Sequence, residues 1–121
     1  MSLYQNIYGF RYALTGIKIA WREEVNFRIQ VGCSIFAIFL GWFFQISPIE
    51  WIVIIFLTGF VLSAETFNTA LEEFCDMVKN DPDPHIAKIK DLAAAAVLIS
   101  SWTAFMAGVI IFLPRIFAYI A

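Results

Sequence analysis

The chain has 121 residues, of which 61% are hydrophobic and only 15% charged; its formal net charge is −2 and its pI about 5.2. Soluble domains carry nearer about a quarter charged residues, so this composition excludes an ordinary water-soluble enzyme and points to one small integral membrane domain over 1–121. The acidic balance, with no basic patch interleaved with aromatics, argues against a nucleic-acid partner.

Residues 1–26 read as a surface helix, in one or two segments. Ile7, Phe10, Leu14, Ile17 and Trp21 recur at spacings of three and four, with Arg11, Lys18 and Arg22 on the other side. Such a helix is expected to lie on the membrane with its bases near lipid headgroups, and Gly16 is the point at which it could loosen. The basic and acidic residues of this stretch leave no apolar core for a signal peptide.

The first span is expected over 27–46. Its apolar run, Phe27 to Phe44, is close to the roughly 20 residues that cross a bilayer core. Gln45-Ile46-Ser47-Pro48 is the turn, with Pro48 suited to the first turn of the next helix. The second helix is expected over 49–78. It stays apolar from Ile49 through Ala64, roughly 24 Å of helix, and then carries on into water. Lys79 to His85 is polar and proline-rich and reads as a loop. The third span is expected over 86–116, apolar from Leu92 to Leu113, with Pro114 near its end.

The fold class is therefore all-α: three transmembrane helices plus an N-terminal amphipathic surface helix. Arg11, Lys18, Arg22, Arg28, Lys79, Lys88 and Lys90 lie on the side of the N-terminus and second loop, against Arg115 on the other. This asymmetry puts the N-terminus in the cytoplasm and the C-terminus outside. Trp21, Trp42, Trp51 and Tyr119 fall near the expected interfaces. Cys33 and Cys75 sit at different depths, which argues against a disulfide. Three helices cannot enclose a large polar site, so oligomerisation is the default expectation.

The chemistry-bearing stretch is Ala64 to Asp76. Glu65, Asn68, Glu72 and Asp76 fall within an arc of roughly 80° on one helix, a polar stripe that starts where hydrocarbon ends. Ionisable residues at that depth mark a functional site. Glu24 before the first span, and Lys90 and Asp91 before the third, arrive at the same depth. Taken singly, each is an ordinary solvated helix residue; Glu24 pairs plausibly with Arg28 four residues on, and Glu23 and Glu50 read as surface charges. Taken together they supply what phosphate chemistry requires. Glu24 and Glu72 suit Mg²⁺, a Lys suits phosphate, and Glu65, about 10 Å nearer the membrane than Glu72, suits a general base acting on a lipid hydroxyl. No P-loop and no protein-kinase signature is present.

The segment Glu65-Thr66-Phe67-Asn68-Thr69-Ala70-Leu71-Glu72, followed by Asp76, resembles the signature E-x-x-N-[ST]-A-[IL]-E-x-x-x-D of the bacterial membrane diacylglycerol kinase family. Gly16 to Trp21 resembles its surface-helix motif, Glu24-Val25-Asn26-Phe27-Arg28 its E-x-N-F-R, and Ala87 to Ile99 its A-K-x-K-D-x-A-A-x-A-V-L-I. The form of the last two is similar to the undecaprenol kinase branch. The loop Asp81-Pro82-Asp83-Pro84 has no close counterpart, and Ala95 stands where a Gly is frequent.

The resemblance implies a homotrimeric lipid kinase of the bacterial inner membrane. It would transfer the γ-phosphate of Mg·ATP to a lipid alcohol, undecaprenol favoured over diacylglycerol, at a site shared between protomers. By matching position it implies Glu65 as the catalytic base and Glu24 and Glu72 as metal ligands. Tyr12, Asp76, Lys90 and Asp91 would lie around the nucleotide, with Asn68 and Arg28 in support. An alternative from another class is a non-catalytic oligomer or ion pathway. That reading needs polar residues deep in the spans, where Ser34, Thr58, Ser100, Ser101 and Thr103 are weak substitutes for charge.

Overall fold

The computed structural model describes residues 3–79 and 81–121. Residues 1–2 of the expected surface helix and Asn80 of the expected loop lie outside them. The described residues form four α-helices: α1 Leu3–Glu23, α2 Val25–Phe44, α3 Pro48–Val78 and α4 Pro84–Ile120. The last three are long and apolar enough to cross a membrane. Helices are the expected solution, since in hydrocarbon every backbone polar group must be satisfied within its own segment.

α1 is one uninterrupted helix; Gly16 does not break it. Its apolar residues Ile7, Phe10, Leu14, Ile17 and Trp21 are all exposed, so the rest of the chain does not cover them. The turn between α2 and α3 is held by a Schellman arrangement. Gln45 takes the left-handed conformation (φ 51°), its N–H donates to the Trp42 carbonyl at 3.3 Å, and the Ile46 N–H donates to the Gly41 carbonyl at 3.1 Å. Gly41 is required here for space. A Cβ on it would lie 2.7 Å from Trp51 Cη2 and 3.1 Å from Ile46 Cδ1.

α3 opens on a capping box. Ser47 Oγ accepts from the Glu50 N–H at 3.2 Å, and Glu50 Oε1 accepts from the Ser47 N–H at 2.9 Å. At 31 residues, α3 is about 46 Å long, so it outruns a bilayer core of about 30 Å and carries its last turns beyond it. α4 starts two residues before the expected boundary because Asp83 caps it, accepting from the N–H groups of His85 and Ile86, with Pro84 at the first helical position. It also runs past Pro114 to Ile120, longer than the sequence suggested. Pro114 forgoes one backbone donor, while Arg115 Nη1 donates to the Ile111 carbonyl at 2.7 Å in the same turn.

The core lies at the end of the bundle remote from the acidic stripe. Ile46, Ile54, Ile111 and Phe112 are buried there, with Phe44 and Trp51 packed against them. Beside it Glu50 departs from the expectation of a free surface charge. Both its oxygens accept from the Arg115 guanidinium at 2.8 Å, which fastens the start of α3 to the end of α4. A planar fork opposite a carboxylate makes this bidentate geometry. α3 and α4 are the most extensively packed pair, and this places their cytoplasm-expected halves side by side.

Candidate active site

The break between α1 and α2 is the first element of the site. Glu24 takes an extended conformation (φ −114°, ψ 109°) between the two helices. Arg28 Nη1 donates to the carbonyls of Trp21, at 2.6 Å, and Arg22, at 3.1 Å, satisfying the open C-terminus of α1. The guanidinium is therefore committed to backbone, and the Glu24–Arg28 ion pair that the spacing allowed is not among those formed by the described residues. Glu24 stands at the N-cap position of α2, yet its side chain makes no cap hydrogen bond. It is half-buried and left for other work.

α3 supplies the second element. Glu65 is only 4% exposed, and Glu24 and Glu72 lie close enough for their charges to act on its carboxyl. Carboxyls from α3 and from the α1–α2 break thus lie within electrostatic reach of one another. Asn68 joins them: its Nδ2 donates to Glu72 Oε1 at 3.2 Å, which orients the amide and leaves its buried Oδ1 with no donor from the protein. Along the stripe, burial falls from Glu65, through half-buried Asn68 and Glu72, to exposed Asp76.

α4 supplies the third. Lys90 Nζ donates to Asp76 Oδ1 at 2.6 Å, across the two helices. Both are on the surface, and an exposed pair of this kind is easily exchanged for another anion. Asp91 is exposed, and Tyr12 is exposed on α1 with its ring 6.5 Å from that of Tyr8. Among the described residues, no hydrogen bond or ion pair joins Tyr12 or Asp91 to the carboxyls of Glu24, Glu65 or Glu72. No group of three or more His, Cys, Asp or Glu side chains has a metal-holding arrangement among them either. A Mg²⁺ ion bound through two carboxylates, with its remaining positions left to phosphate and water, needs no such group. Glu24 and Glu72 are hard-oxygen donors of the right kind, and the unsatisfied Oδ1 of Asn68 lies beside Glu72.

Two features here were not legible in the sequence. One is the Arg28 cap, visible only once the α1–α2 break is known. The other is a groove of about 840 Å³ between α1, α2 and α3, walled by residues such as Trp21, Phe27, Leu62 and Phe67. On α3 it runs directly beside the acidic stripe, since Leu62 is about 60° around the helix from Glu65.

The pattern of the prokaryotic diacylglycerol kinase family matches residues 11–112, a stretch that holds α2, α3 and every candidate site residue above. The chain belongs to this family. Among similar proteins is the undecaprenol kinase of Bacillus subtilis strain 168, 33% identical over 107 residues, or 88% of this chain and 87% of that protein. A diacylglycerol kinase of Synechocystis is 33% identical over 106 residues, 87% of this chain but 61% of that longer protein. One from Helicobacter pylori strain 26695 is 33% identical over 94 residues, 76% and 73% of the two chains. As a member of the prokaryotic diacylglycerol kinase family with three membrane-length helices, the chain is a membrane lipid kinase.

Proposed function

We propose that this lipid kinase transfers the γ-phosphate of Mg·ATP to undecaprenol at the cytoplasmic face of the bacterial inner membrane, as a homotrimer. The observation that carries the reading is Glu65, buried at the end of an apolar run with Glu24 and Glu72 around it. Its carboxylate takes the proton from the lipid hydroxyl, and the freed oxygen attacks the γ-phosphorus in line. Asn68 Oδ1, lacking a donor, holds that hydroxyl or an attendant water in place. Glu24 and Glu72 hold the metal, which supplies neutralisation of phosphoryl charge. Lys90 exchanges Asp76 for nucleotide phosphate, and Asp91 and Tyr12 flank the nucleotide.

The groove beside Glu65 takes the lipid chain. Undecaprenol is favoured by the coverage of the Bacillus subtilis undecaprenol kinase, nearly end to end in both chains. The trimer is favoured by the small number of helices, too few to enclose a large polar site, and by Tyr12, which is exposed on α1 and makes no hydrogen bond to the carboxyls of its own chain among the described residues. The basic asymmetry supports a cytoplasmic N-terminus. The test is phosphate transfer in detergent, with undecaprenol and diacylglycerol offered in competition, with and without Mg²⁺. Preferential labelling of undecaprenol in Mg²⁺ is expected. Preferential labelling of diacylglycerol would assign the other lipid, and turnover unaffected by chelation would remove the metal role.

A further inference from the structure

The groove between α1, α2 and α3 is largely apolar, with the hydroxyl residues Ser63 and Thr66 and one charge on its wall. Its lining includes Ile17, Trp21, Phe27, Leu62 and Thr66, and Lys18 is the single ionised side chain on its wall. The side chain of Lys18 makes no hydrogen bond or ion pair with any described residue, as is also true of Arg11, Arg22 and Lys88, but of these four only Lys18 lines the groove; Lys79, Lys90, Arg28 and Arg115 are each held by a partner. An ammonium beside an apolar channel has no use for a neutral alcohol headgroup. It does have a use for what that headgroup becomes.

On transfer, a P–O bond forms to the lipid oxygen and the bond from γ-phosphorus to the bridging oxygen of ADP breaks. The hydroxyl proton goes to Glu65. The lipid then ends in a phosphate monoester dianion beside the now protonated Glu65, on a wall whose other acidic side chains, Glu24 and Glu72, supply no counter-charge of their own. Lys18, on the α1 side of the groove, offers the counter-charge. We propose that Lys18 is the product-anchoring residue: it binds the phosphate of the phosphorylated lipid at the mouth of this groove and draws it off the acidic wall. This rests on the reading that the groove holds the lipid chain. The competing account is that Lys18 only reaches toward bulk headgroups, as lysines on surface helices do. The two differ in one respect. A headgroup contact affects alcohol and phosphate forms of a lipid alike; a product anchor affects the phosphate alone.

The experiment uses the full chain in neutral detergent, with undecaprenol as substrate and farnesol and farnesyl monophosphate as competing inhibitors. The parent is expected to bind the phosphate more tightly than the alcohol. Lys18→Met should lose that preference by about tenfold, the scale of a lost hydrogen bond to a charged group. Its inhibition by farnesol and its KM for ATP should stay the same, and Lys18→Arg should keep the preference. Lys18→Gln, a neutral polar change at this exposed position, serves as a second variant with the same expectation as Lys18→Met. Equal inhibition of the parent by the two compounds would overturn the proposal, as would an unchanged preference in both neutral variants or an equal weakening of both inhibitors. A parent that phosphorylates no lipid alcohol would instead bring down the functional reading, and this proposal with it.

Discussion

Glu65→Gln separates chemistry from architecture most sharply. The substitution keeps the shape of a side chain that is 4% exposed, so no cavity opens. It removes a charge that has little water around it and two like charges near it, Glu24 and Glu72. Folding should therefore be unharmed, and the melting temperature should be no lower than the parent's. ATP affinity should hold as well, because one negative charge fewer faces the triphosphate. Catalysis should fall steeply: a positioned general base contributes about 10²–10⁴ in rate, or about 3–5 kcal/mol in barrier. The assay is kcat for undecaprenol at saturating Mg·ATP, beside nucleotide binding and a thermal melt on the same preparation. Parent-like turnover with intact nucleotide binding would refute the assignment of Glu65 as base. Loss of folding along with activity would show that the carboxylate is structural.

Gly41→Ala should destabilise despite a helix-propensity gain of about 1 kcal/mol, since overpacking against the rigid Trp51 ring costs about 1–3 kcal/mol; a lower melting temperature and altered Trp fluorescence would register it. Gln45→Gly should stabilise by up to about 1 kcal/mol, because a left-handed turn residue is strained when it carries a Cβ; a drop in melting temperature would contradict this. Asp83 is held below its ordinary value of 3.8 by Lys79, and then by the N–H groups of His85 and Ile86. A carboxyl whose folded pKa is depressed stabilises the fold above its unfolded pKa, and that contribution disappears as pH falls through the folded one. The parent should therefore lose stability below about pH 4, while Asp83→Asn should lack this component of the acid dependence; matching acid profiles for the two would refute it.

Much of this molecule could be read from its residue order. The three apolar runs, the end of α3 at Val78 and the stripe from Glu65 to Asp76 all follow from local rules: burial cost in lipid, a 3.6-residue period, and Pro and Ser at helix starts. These rules act within one element, where sequence distance is spatial distance. The joining of Glu50 to Arg115, 65 residues apart, obeys no such rule, and neither does the pairing of Lys90 with Asp76. Arg28 illustrates the limit most plainly. Its spacing matched a Glu four residues away, but the break after Glu23 opened backbone carbonyls that a guanidinium satisfies better, and Glu24 was released toward Glu65. Local sequence determined which polar groups follow or precede each apolar run. Only the packing of α1, α2 and α3 decided that Glu24 and Glu72 come within electrostatic reach of Glu65, and that Lys18 borders the groove beside α3, because both depend on how separate helices lie against one another.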